Sequence, residues 1–371
     1  MKARERVVAF ARRAARAEAP TAGERMVRGL LSVASVAYGG LVRARNAGYD
    51  RGLLRRERLP CRVVCVGNLS VGGTGKTPTV LALAGAAAGA GLRVCVVLRG
   101  YGRRGHGVRL VSDGQRVLLG WREAGDEAVL LAERLPGVPV VVGEDRVAAG
   151  RLAVERFEPR AIFLDDGFQH RRLHRDADLV LLDCTDPFGD GLLPRGRLRE
   201  PVTGLRRADA ILLTRWDCGG DPEGLRRRVA AVAPGRPVGG AVLRPVRVRD
   251  LTAQRDRPLA DLRGVRVFAV SGIGNPDSFH RTVRGVGAVL AGCLVYPDHH
   301  VFSEEDRRRM GEAARRCQAD WIVTTGKDAV RLETGLLEGR PVAVLEVVLE
   351  IVEGARALEA ALGVPVEARH G

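Results

Sequence analysis

The sequence predicts an α/β protein, a mostly parallel sheet wound with helices and followed by a second, smaller α/β lobe. Three observations predict it. The apolar run Arg62–Val66 reads as a buried strand and leads through a glycine-rich turn into the helical stretch from Thr77 to Ala90. Strand-length apolar runs then alternate with helical patterns, the order expected of a parallel sheet. The same alternation restarts at Val265–Val270 after a lone extended run, Val242–Val248. A chain of 371 residues is too long for one small core and suits two domains of ordinary size.

The first turn carries the most specific signal. Ser70, Val71, Gly72, Gly73, Thr74, Gly75, Lys76 and Thr77 lie between a strand and a helix, the context of a phosphate-binding loop. Glycines let the backbone curl so that several N–H groups face one anion, and the helix N-terminus adds its positive dipole end. Lys76 is placed to reach β- and γ-phosphates, and the Thr77 hydroxyl to hold Mg²⁺. The usual pattern starts with glycine where Ser70 stands, and Gly72 and Gly73 supply the flexibility instead. A turn that binds nothing is the competing reading, and the flanking strand and helix weigh against it. The loop therefore predicts a P-loop NTPase-type parallel sheet core, without naming what receives the phosphate.

Further strands are expected at Arg93–Leu98, Val138–Val142, Ala161–Leu164, Leu179–Leu182 and Ala210–Leu213, with helices at Asp126–Arg134 and Arg146–Arg156. Ligands of such sheets gather at the carboxyl ends of the strands. There Arg99 opens the basic loop Arg99–Gly105, which either grips a phosphate or is a solvated turn. Asp126 opens a helix, as a charge stabilised by the helix dipole or as a catalytic base. Asp165 and Asp166 end a strand and suit a metal-bound nucleotide, and Asp183 ends a rival one. Leu193–Pro201 is a proline-bounded loop with Arg195, Arg197 and Arg199, a residue type suited to bidentate phosphate contact. Thr214-Arg215-Trp216-Asp217 faintly echoes a guanine-reading segment, with Arg where Lys belongs.

In the second unit Gly272–Pro276 turns into a helix, and Asp298-His299-His300 precedes another helix from Glu304, capped by Ser303 with Asp306 at the capping-box position. The histidines are either turn residues or proton carriers. Strand Trp321–Val323 leads to Gly326-Lys327-Asp328. The extended run Val342–Val348 matches Val242–Val248, and the two are expected to pair as a two-stranded linker joining the lobes. The expected division is 1–58, a basic helical segment facing a membrane; 59–241, the nucleotide core; and 242–371, the C-terminal lobe with the linker strands.

Composition narrows the partners. A net charge of +16 calls for an anionic partner. Aromatic residues make up 4% of the chain and no basic stretch is interleaved with them, which argues against a nucleic-acid platform. Seven scattered cysteines form no paired framework and fit a reducing compartment. No apolar run is long enough to span a bilayer. Residues 1–58 hold fourteen Lys or Arg against five Asp or Glu. Within them the uncharged stretch Gly29–Val42, flanked by Arg25, Arg28, Arg43 and Arg45, suits either a helix lying in an anionic membrane interface or one packed on the core. Arginines recurring through the first 28 positions argue against a cleaved signal peptide.

Taken in order, Gly67–Pro78, Arg99–Gly102, Gly125–Glu127, Asp165–His170, Leu198–Pro201, Gly272–Pro276, Asp298–His300 and Lys327–Val330 resemble the lipid A 4′-kinase (tetraacyldisaccharide 4′-kinase) family, from about Tyr49 to Glu333. The resemblance implies ATP- and Mg²⁺-dependent phosphorylation of the 4′-hydroxyl of a tetraacylated glucosamine disaccharide 1-phosphate in lipid A biosynthesis. It also implies a peripheral protein at the cytoplasmic face of the inner membrane, with no nucleic-acid partner, and two α/β/α lobes joined by a two-stranded linker. By motif, Lys76 and Thr77 would serve ATP and Mg²⁺, Asp165 and Asp166 the metal, Asp126 and His299 the catalytic pair, and Arg99 and Arg199 the anionic substrate. Arg195 and Arg197 depart from smaller residues common in the family, and Gly326 from a common Glu. The rivals are a P-loop GTPase, supported only by Thr214–Asp217, and a basic ATPase that binds nucleic acid.

Overall fold

The computed structural model describes residues 21–367. The first helix, α1 (Ala22–Asp50), starts on a capping box in which Thr21 and Glu24 bond each other's backbone. Its 29 residues make a rod of about 44 Å. One face carries Ser35, Gly39 and Val42 and is buried; the opposite face exposes Met26, Leu30, Val33, Val36 and Leu41. The buried face packs on the Leu192–Arg199 loop. Ser35 Oγ accepts from the Arg195 N–H at 3.0 Å, and the Tyr38 hydroxyl donates to the Arg199 carbonyl at 2.7 Å. The helix is thus docked on the core along one side and apolar on the other. The first twenty residues of the expected basic segment lie outside the described residues.

The larger half of the sheet is built from β1 (Arg62–Asn68), β2 (Val94–Leu98), β3 (Arg109–Ser112), β4 (Val140–Val142), β5 (Ala161–Asp165), β6 (Ala177–Asp183) and β7 (Ala210–Thr214). Its spatial order is β7-β6-β1-β5-β2-β4-β3, parallel apart from β3. Strand β1 sits between β5 and β6 and is buried on both faces, which is why it reads as a continuous apolar run. Helices α2 (Lys76–Gly89) and α4 (Asp126–Arg134) cover one face; between them runs the single turn α3 (Trp121–Ala124). Helix α5 (Arg146–Phe157) covers the other face. Strand β4 starts two residues later than its apolar run predicts, because Pro139 has no N–H for the ladder.

Two long strands continue the sheet. Strand β8 (Val238–Asp250) pairs in parallel with β7 and antiparallel with β14 (Arg340–Glu353), with Arg244 opposite Val348. These contain the expected linker runs and extend two to five residues beyond them at each end. They are not a free-standing ribbon, because β14 also pairs with β12 (Trp321–Thr324), followed by β10 (Arg266–Ser271) and the edge strand β11 (Val289–Val295). The short strands β9 (Arg255–Arg257) and β13 (Leu336–Leu337) pair with β8 and β14, and a single sheet runs through both halves. Around its smaller half pack α7 (Pro276–Gly285), α8 (Glu304–Arg316) and α9 (Gly326–Leu332), with Val267 and Val283 on one side and Phe268 and Met310 on the other. Ser303 and Asp306 form the expected capping box of α8. The sequence reading did not include α6 (Pro222–Val232), started by Asp221 and a proline in the first turn, nor the C-terminal α10 (Ala355–Leu362).

Candidate active site

The Ser70–Thr77 loop joins β1 to α2 and is braced from beneath. Gly72 and Gly75 have φ of 121° and 87°, conformations that side chains rarely adopt. Asn68 donates to the Thr74 hydroxyl at 2.9 Å, and the Thr214 hydroxyl donates to the Thr74 carbonyl at 3.0 Å. Arg215 donates to the Gly73 carbonyl at 2.8 Å and to Ser278 Oγ at 3.2 Å, and is ion-paired with Asp183. Arg215 therefore braces the phosphate loop, and Asp183 is occupied by it. The smaller half also touches the loop directly: a Cβ added to Gly274 would lie 2.6 Å from the Gly73 nitrogen.

Thr77 and the strand-end carboxylates meet beside the loop. The Thr77 hydroxyl donates to Asp165 Oδ2 at 3.2 Å, and Lys76 Nζ lies 3.8 Å from Asp166 Oδ1. Arg199 donates to both Asp166 oxygens at 2.9 Å, so part of its charge is already neutralised. Asp165 is 3% exposed, and its burial, together with the Glu127 charge, pushes its carboxyl up to about 7. Burial acts the same way on Asp166, but Lys76 and Arg199 outweigh it and hold that carboxyl below the usual range. Among the described residues no cluster of three or more His, Cys, Asp or Glu could hold a metal by itself. A hydroxyl with two carboxylates is instead the set that Mg²⁺ shares with nucleotide phosphates, and a buried carboxylate among other carboxylates fits a site made for added positive charge.

Across the cleft Asp126 begins α4 behind Gly125, whose φ of 92° requires glycine. His299 Nδ1 lies 3.0 Å from both Asp126 oxygens. Asp126 also accepts from the Glu127 N–H at 2.8 Å and pairs with Arg331 Nε at 3.2 Å. Burial would raise its carboxyl, yet the His299 bond and the charges of Lys327, His299 and Arg331 leave it below the usual range. His300 points elsewhere, to Asp306 at 3.0 Å and onto the Tyr296 ring. Two of these residues hold left-handed backbone, Asp166 at φ 56° and His299 at φ 60°, a cost that surrounding structure must offset. The exposed ring of Tyr101 lies 4.8 Å from the His299 ring, and Arg99 is exposed on the same cleft, whose volume is about 2200 Å³.

Pattern reading gave no role to Lys327, Arg331 or Glu200. Lys327 Nζ reaches Glu127 and Asp298 at 3.0 Å and His299 Nε2 at 3.1 Å. Arg331 is fully buried and ties Asp126 to the His300 and Gly272 carbonyls. Glu200, also buried, bonds Gln169 and Asn46 and so links α1 to the site. The available signal was position: Lys327 opens a helix directly after a strand, at the sheet end where ligands gather.

An anion cradle thus faces a carboxylate–imidazole pair that can take a proton from a hydroxyl, which is the equipment of a P-loop phosphotransferase. The tetraacyldisaccharide-1-P 4′-kinase family matches residues 27–364. A tetraacyldisaccharide 4′-kinase of Syntrophus aciditrophicus is 44% identical over 82% of this chain and 84% of its own. One from Anaeromyxobacter sp. strain Fw109-5 is 43% identical over 92% and 93%. The "apo" form of LpxK from Aquifex aeolicus in complex with ATP superposes with a TM-score of 0.73 at 33% identity, covering 91% of this chain and 98% of that one. The chain belongs to the tetraacyldisaccharide-1-P 4′-kinase family.

Proposed function

We propose that this chain binds ATP with Mg²⁺ on the Ser70–Thr77 loop and transfers the γ-phosphoryl group to the 4′-hydroxyl of an acylated glucosamine disaccharide 1-phosphate. The observation that carries the reading is the Asp126–His299 pair, at 3.0 Å, on the same cleft as Lys76 and Thr77. The loop N–H groups and the α2 N-terminus hold the phosphates, and Lys76 follows the charge of the transferring group. His299 takes the hydroxyl proton as its oxygen attacks, while Asp126 orients the ring and stabilises the imidazolium that forms. Thr77, Asp165 and Asp166 would hold Mg²⁺, which when bound neutralises charge on the phosphate oxygens. Arg99 and Arg199 face the anionic substrate, with Arg199 also fixing Asp166.

The exposed apolar face of α1 supports peripheral attachment to a membrane surface, which this reading places at the cytoplasmic side of the inner membrane; no helix of the described residues is long and apolar enough to cross one. The test is label transfer from γ-labelled ATP or GTP to the disaccharide 1-phosphate in detergent micelles. Label enters the glycolipid from ATP and not from GTP. Hydrolysis of GTP without any labelled lipid would defeat the reading.

A further inference from the structure

Lys327 Nζ lies 3.1 Å from His299 Nε2, where a hydroxyl giving its proton to that nitrogen would have to sit. Its ammonium has three N–H donors and three partners: Glu127 Oε1 and Asp298 Oδ1 at 3.0 Å and His299 Nε2 at 3.1 Å. Burial disfavours its charge, but Glu127, Asp126 and Asp298 outweigh that and hold it protonated. An ammonium has no lone pair and can only donate. His299 Nε2 must therefore accept, and the ring's own proton sits on Nδ1, donated to Asp126. Asp126 itself has no free face: it is 3% exposed and engaged by His299, the Glu127 N–H and Arg331. Nε2 is the only atom of the pair left to receive a substrate proton, and Lys327 covers it.

We propose that Lys327 is a positioning residue that fixes the His299 tautomer and covers its basic nitrogen until the acceptor hydroxyl displaces it. The inference rests on the reading of Asp126 and His299 as the base. In the covered state a water beside the γ-phosphorus finds no proton acceptor. In the uncovered state its oxygen bonds to phosphorus, and the bond to the β–γ bridging oxygen breaks with its electron pair staying on ADP. The water proton passes to Nε2, and inorganic phosphate is released. The glycolipid hydroxyl follows the same course in transfer, and it alone brings the contacts needed to move Lys327, which keeps Glu127 and Asp298 meanwhile. The device suppresses wasted hydrolysis of ATP while the acceptor site is empty.

The experiment measures phosphate release from ATP and Mg²⁺ without glycolipid, alongside phosphoryl transfer with it, for wild type, Lys327→Met, His299→Ala and the double variant. Lys327→Met should release phosphate about tenfold faster than wild type, less than the roughly 10²–10⁴-fold of a general base acting on a positioned hydroxyl because a water is not held in line for attack, and the gain should vanish in the double variant. No gain, or a gain that survives loss of His299, overturns the proposal. A second measurement needs no variant at residue 327: ¹⁵N shifts of the wild-type histidines, with His299 assigned by its loss in His299→Ala. They should show the proton of His299 on Nδ1, and a proton on Nε2 overturns the proposal. The two readings separate cleanly. Unimpaired transfer by His299→Ala defeats the functional assignment, whereas impaired transfer with no gain in Lys327→Met defeats only the role of Lys327.

Discussion

At the scale of single residues, the carboxylate–imidazole pair has a measurable signature. General-base help is worth about 10²–10⁴-fold. Asp126→Asn and His299→Ala should each lower kcat within that range and leave the KM for ATP nearly unchanged. The proposed base makes the two act as one unit, so the double variant should be scarcely slower than either single one. Losses that multiply would assign them independent roles. His170 supplies a pH test. Burial, and then the Arg146 charge, hold its imidazole down to about 4, whereas the unfolded chain titrates near 6.5. The fold therefore favours the neutral ring. In acid the unfolded state takes the proton first, so this contribution is complete above about pH 6.5 and is lost as pH falls toward 4. His170→Gln should lose less Tm than wild type between pH 7 and pH 4.5. Parallel Tm profiles would refute this.

At the scale of elements, the two faces of α1 allow its docking on the core to be tested apart from the proposed membrane contact. Leu30 and Val33 are 64% and 72% exposed on the face turned away from the core. Replacing both by Asp should leave thermal stability nearly unchanged, as surface changes do. Burying one such side chain in lipid contributes about 1.5–3 kcal/mol, so binding to anionic vesicles should drop at least about tenfold in flotation. Equal flotation would place the membrane contact elsewhere. Deleting the helix would be a poorer test, since it also strips Ser35 and Tyr38 from the Leu192–Arg199 loop.

What the sequence shows at this scale depends on the kind of signal. The phosphate loop was legible because its chemistry needs glycines and Lys-Thr at fixed local spacing. Strands buried on both faces, such as β1 and β6, were legible as apolar runs. The edge strand β11 was not, since Gly292 interrupts it and most of its side chains are partly exposed. Asp126 and His299 are 173 positions apart, and local pattern reads them as a helix charge and a turn histidine. Only family resemblance suggested the pairing, and only the topology shows which histidine faces the carboxylate. The local motif around Lys327 discloses no role for it, because its meaning depends on three partners from distant segments.

At the scale of the whole molecule, the two halves meet through the β8–β14 pair, through the contacts of His299, Lys327 and Arg331 with the start of α4, and through the contact of Gly274 with Gly73. Gly274→Ala would set a methyl group 2.6 Å from a backbone nitrogen of the phosphate loop, so the loop must shift. Misplacement of about 1 Å near the reacting groups can cost about 10²-fold. Turnover should fall on that order and the KM for ATP should rise, with the melting profile largely kept; wild-type kinetics would show that the contact is slack. The single sheet also sets the order in which the molecule is made. Strands β1 to β7 are encoded together, whereas Lys327 lies 200 residues after Glu127, about 10–40 s of synthesis at ordinary ribosomal rates. The phosphate cradle can therefore be finished on the ribosome while Asp126 still lacks its imidazole. On the proposed reading, a nascent chain would bind nucleotide before it owns a base, and competence for transfer would arrive only when β12, α9 and β14 have left the exit tunnel.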